Sequence, residues 1–167
     1  MRSGRRILIL GGIALALWGM AYGFWYAVFA EHQALDGIGA SLTTAFTGAA
    51  ERQPERAQAA LTQYRETKYV YDRQVDVHSH WIGLAVLLVV LGLALDHVAL
   101  PEGTKHMLAL GALAGAVLFP LGVLLQTVDH STGPRALAIV GSGLLVAAMA
   151  IFTLGFARSG SGSISRS

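Results

Sequence analysis

Four stretches of the chain, residues 7–30, 80–100, 107–128 and 136–157, are almost wholly apolar, and none contains Lys or Arg. Each is long enough to cross a bilayer, which takes about 20 mostly apolar residues. Backbone polar groups inside hydrocarbon have to pair within their own segment, so these four spans are expected to be helices. The pattern changes over residues 31–77. Leu35, Ile38, Leu42 and Phe46 recur at helical spacing, "ERQPER" breaks the pattern, and Ala57, Ala60, Leu61 and Tyr64 resume it. Pro54 suits the first turn of the second helix. Gly37, Gly39 and Gly48 each weaken the first helix by roughly 1 kcal/mol relative to Ala, so it needs a packing partner.

These elements predict an all-α fold: an integral membrane four-helix bundle with an extramembrane helical hairpin between spans one and two. The hairpin is expected to lie on the membrane or cap the bundle. Residues 1–157 form a single four-span domain, and 158–167, rich in Ser and Gly, form a flexible tail. "RSGRR" ahead of span one and "VFA" before Glu31 also fit a cleavable signal peptide. The apolar stretch is about twice the usual 7–15 residues and rich in aromatics, which favours a retained anchor.

Composition agrees with a lipid solvent: 54% of the 167 residues are hydrophobic and 13% charged, against about 25% charged in soluble domains. Without cysteine the chain has no disulfide, thiolate metal site, iron–sulfur cluster or thioether-linked haem. The net charge of +2, with no basic stripe, does not call for a nucleic-acid partner. Arg2, Arg5, Arg6, Lys105, Arg158 and Arg166 flank one side of the spans, and Arg135 stands in the short loop on the other. The positive-inside rule then puts both termini in the cytoplasm of a multi-pass cell (inner) membrane protein, with 31–77 outside.

That topology sorts the polar residues into two layers. Glu31 and His32, His78 and His80, and Asp129 and His130 belong to the outer end, while Asp96, His97 and His106 belong to the inner. His78, His80 and His130 form the candidate cofactor and metal site, with His32 and Glu31 as further ligands of the same site. Asp76, Gln126 and Asp129 are its candidate hydrogen-bonding neighbours. Imidazole suits zinc, copper, iron or nickel, and two imidazoles from facing helices suit a haem b. Spacing qualifies this. On an extended segment His78 and His80 share a side; on a helix they point about 200° apart, and His80 shares a face with Asp76. The alternative is that these histidines are interfacial polar residues with no ligand. No nucleophile–base arrangement and no phosphate loop is legible, so the chain is not expected to be an enzyme.

"WGMAYGFWYA" and "VDVHSHWIGLAVLLVVLGLALD" resemble small four-helix membrane proteins similar to haem–copper oxidase subunit I. The shared pattern is a Gly-Met-x-x-Gly in the first helix (Gly19, Met20, Gly23) and a His-x-His followed by glycine in the second (His78, His80, Gly83). The long segment after span one and Ile82, where that group commonly has Asn, depart from it. The resemblance implies haem ligation by His78 or His80. It also implies a role in electron transfer or in the assembly of a larger respiratory or redox complex. The competing expectation is a purely structural or interaction subunit without cofactor.

Overall fold

The computed structural model describes residues 3–164, with side chains as far as Arg158. Arg2 and Arg166 of the charge pattern lie outside the described residues, as does the end of the expected tail, 165–167. Helix α1 (Ser3–Trp25) passes through a π-helical turn (Tyr26–Ala30) into α2 (Glu31–Ala50). Helix α3 (Pro54–Ala94) follows and closes in a 3-10 turn (Leu95–His97). The chain ends with α4 (Glu102–Leu125) and α5 (Thr132–Ile164). The backbone of α5 stays helical past Arg158, where the apolar pattern stops.

Four helices are long and apolar enough to cross a membrane, and the chain is a multi-pass all-α membrane protein. Helix α3 is the longest, with 41 residues, or roughly 61 Å at 1.5 Å per residue. A hydrocarbon layer of about 30 Å accounts for only half of that. Its first half, with α2 alongside, therefore stands beyond the membrane as an antiparallel hairpin. Helix α2 packs along α3 and makes no substantial contact with α4 or α5, so the hairpin prolongs spans one and two; it neither caps the bundle nor folds back onto it. The reversal at its tip is a Schellman-type stop. Arg52 takes a left-handed φ of 57°, Gln53 N–H donates to the Gly48 carbonyl at 2.8 Å and Arg52 N–H to that of Ala49 at 3.1 Å. Pro54 then opens α3, where its missing N–H costs no helix bond.

Within the membrane α1 runs antiparallel to α3 and parallel to α4, and the three pack around Leu8, Leu88, Ala85 and Ala112. Helix α5 packs chiefly on α4. That last contact is made by small residues. A Cβ at Gly122 would land on the Ala138 backbone, one at Gly141 on the Phe119 backbone, and one at Gly115 would come 2.7 Å from the Gly141 carbonyl. In "GALAG" only Gly115 is used in this way, because Gly111 faces open space. At the end away from the hairpin, Arg5 of α1 pairs with Asp96 below α3 at 2.9 Å. Lys105, expected in a loop, is buried in the first turn of α4, with Glu102 at 3.4 Å.

The same substitution should separate packed from unpacked glycines. Gly122→Ala should destabilise the protein by about 1–3 kcal/mol through overpacking. Gly143→Ala, into open space, should be neutral or stabilising by up to about 1 kcal/mol through helix propensity. Unfolding in detergent followed by circular dichroism reads both, and equal effects would contradict the α4–α5 contact.

Candidate functional site

Helix α3 is unbroken through "VDVHSHW", so the helical alternative for the His-x-His pair is the one realised. Two positions along a helix turn the side chains about 200° apart. His78 accordingly faces α1 and His80 faces α4.

His78 enters a socket in α1. Gly19 and Gly23 stand one turn apart on the surface that meets α3, and a Cβ at Gly23 would overlap the His78 ring. The ring Nδ1 lies 3.0 Å from the Gly19 carbonyl oxygen. A carbonyl only accepts, so Nδ1 carries the proton and donates, and Nε2 is the nitrogen with the lone pair. Trp81, one turn along α3, fills the next position with its Cβ 3.1 Å from where a Gly19 side chain would begin. Its ring, 2% exposed, is met edge-on by Trp18 at 5.9 Å and Tyr22 at 5.2 Å. Tyr26 stacks beyond Tyr22 and is itself buried, its ring 6.4 Å from that of Tyr71.

His80 donates from Nδ1 to the Asp76 backbone carbonyl at 2.6 Å, and its ring meets the face of Phe119 edge-on at 4.8 Å. The partner expected from spacing was the Asp76 carboxylate. That group points elsewhere, 4.0 Å from Arg73. Beside His80, Ser79, Gly83 and Leu84 line a shallow cleft of about 260 Å³, below the roughly 300 Å³ at which small-molecule pockets begin.

His130 sits in the α4–α5 loop, exposed, with its ring stacked on Tyr69 at 6.1 Å. Tyr69 precedes His78 by nine positions on α3, a rise of roughly 13 Å, so His130 belongs to a different level from the His-x-His pair. Glu31 and His32 open α2, beyond the π turn that Tyr26 and Tyr71 place further along the hairpin. Gln126 donates to Gly122 of its own helix at 3.1 Å. Asp129 accepts from the Ser131 N–H and hydroxyl, both at 2.8 Å. These two bonds, with His130 adding a smaller effect, hold its carboxyl below the ordinary value. Whatever this lends the loop is present above the ordinary carboxylate range and lost as pH falls through the lowered value. The structure thus brings His78 and His80 near one another in sequence but onto opposite faces, and leaves His130, His32 and Glu31 apart from both. Among the described residues no group of three or more His, Asp or Glu is arranged to hold a metal ion. In each ring the backbone contact is made by Nδ1, which leaves Nε2 outside that hydrogen bond.

The glycine socket was readable in part, since Gly19 and Gly23 stand four apart in an aromatic-rich span. That their partner is His78 depended on register between helices. The contact gives a coupled prediction. His78→Ala should cost about 1–3 kcal/mol, from a lost interhelical hydrogen bond and a cavity. Gly23→Ala should cost a similar amount by displacing the ring, yet the double variant should be no worse than either single one. Additivity in the unfolding free energies of that cycle would mean the two residues do not touch.

Compared with known proteins, the chain matches no protein-family model, no curated sequence and no solved structure, so its functional reading rests on its own residues.

Proposed function

We propose that this protein is a non-catalytic subunit of a larger membrane assembly and that its helical hairpin is the docking element. The observation that carries this is on α2. Its small residues, Ser41, Ala45 and Gly48, are buried against α3, with the Ala57 nitrogen 3.0 Å from the position of a Gly48 Cβ. Two of its large apolar residues point the other way, Leu35 at 47% and Phe46 at 73% exposed, outside the spans, while Ile38 and Leu42 are half-buried. Residues 37–50 carry no charge. An uncharged helix face of this kind, held upright beside the bilayer, suits the apolar side of a neighbouring protein in the same membrane. With the positive-inside reading, the hairpin stands outside the cell (inner) membrane and both termini are cytoplasmic.

The absence of cysteine makes one experiment decisive. In intact cells an impermeant maleimide should label Gln58→Cys, on the exposed side of α3, at least about fivefold faster than Phe46→Cys, which the partner covers. The two should label alike in purified protein. Equal rates in cells would remove the docking role, and a disulfide-linked Phe46→Cys pair would make the partner a second copy. Failure of Gln58→Cys to label would invert the topology.

A second reading, that the protein carries a haem b or a copper ion for electron transfer, or a zinc ion with a structural role, is supported by the Nδ1–H tautomers of His78 and His80. Purified protein expressed with added haem and copper should then show a Soret band or about one metal per chain, lost in His80→Ala or His78→Ala and kept in His97→Ala. Material lacking both cofactors rules this reading out.

A further inference from the structure

We propose that the groove between α1 and α4 binds one acyl chain of a glycerolipid from the leaflet on the hairpin side. The two helices run parallel and touch at Gly11, where a Cβ would lie 2.8 Å from the methyls of Leu113. From that contact towards the hairpin they enclose a groove of about 450 Å³, walled by Trp18, Leu121 and Leu124 and floored by Trp81. Its size lies within the range of small-molecule sites, and its lining is almost wholly apolar.

Length selects the occupant. Leu113 to Leu124 is eleven residues of helix, roughly 16 Å, and half of a hydrocarbon layer of about 30 Å is about 15 Å. The groove closes at the Gly11–Leu113 contact, midway along α4, and reaches the hairpin-side end of that helix. It therefore matches one leaflet's chain; a helix crossing the bilayer would be stopped at the Gly11–Leu113 contact.

The floor adds a polar requirement. The Trp81 indole N–H is buried without a hydrogen-bond partner. Unpaired donors away from water are costly. The ester carbonyls at the head of a glycerolipid chain are acceptors that arrive with the chain itself.

Trp81 also reports on occupancy. With Trp18→Phe and Trp25→Phe it is the only tryptophan, and it lies on the groove floor with 2% of its surface exposed. The protein is reconstituted in phosphatidylethanolamine–phosphatidylglycerol vesicles with a rising fraction of mid-chain-brominated lipid. Trp81 emission should be quenched along a saturating curve, about twofold more at low bromolipid fraction than when Ala14→Phe or Val117→Phe fills the groove. Both fillers are placed on the groove wall, and helicity and thermal midpoint show which of them folds. Quenching that is absent, or that is the same in a folded filled variant, overturns the proposal. Absent quenching with Trp81 shielded in the unfilled protein would mean that protein occupies the groove.

Discussion

Inside hydrocarbon, apolar side chains gain nothing by leaving lipid for one another, so helices associate through close backbone approach and the few polar contacts available. This constraint organises the bundle. Gly12 lies against the Ala85 carbonyl, Gly92 against Leu8 and Ile9, and Gly122 and Gly141 against the backbones of the facing helices. Large apolar residues such as Leu17, Phe24, Val86 and Val146 are left pointing outward, where lipid is as good a neighbour as protein. Small residues mark the closest helix contacts, while large ones are divided between the core, as with Leu8, Leu88 and Phe152, and the lipid-facing surface.

The same rule explains His78. A half-polar ring at a helix–helix contact needs room and an acceptor, and Gly19 and Gly23 supply both: absent side chains and an accessible carbonyl. His80, two positions on, answers its own need locally through the Asp76 carbonyl. Two histidines that look like a pair in sequence thus have separate partners, because a helix turns them to opposite faces. Each partner fixes the tautomer, and the two rings share no common site.

Beyond the membrane the solvent changes but the packing style of α2 does not. Its buried face is still Ser, Ala and Gly, and Leu35 and Phe46 still point outward, now without lipid to receive them. In water that exposed apolar surface is unfavourable, which is the physical reason for reading the hairpin as an interface. The groove between α1 and α4 is the counterpart inside the bilayer, a surface shaped for lipid instead of protein.

The sequence by itself determined what depends on local pattern and solvent. The four spans follow from uninterrupted apolar runs, the two hairpin helices from 3.6-residue spacing on either side of Pro54, and the helix reversal from a break no helix crosses without cost. The layer to which each histidine belongs was only partly legible: His78 and His80 share one level of α3, but His130 rises with its loop to the level of Tyr69. Tertiary structure alone decided which glycines are contacts, since Gly111 and Gly115 both stand in small, apolar surroundings and only one meets a neighbour. It also decided that α3 runs on as one helix into the hairpin, that Lys105 is buried, and that Arg5 finds Asp96 across 91 positions. Those outcomes turn on the rotation and register of one helix against another. Periodicity says which face of a helix is apolar or small, but not which residue of which partner will stand opposite it.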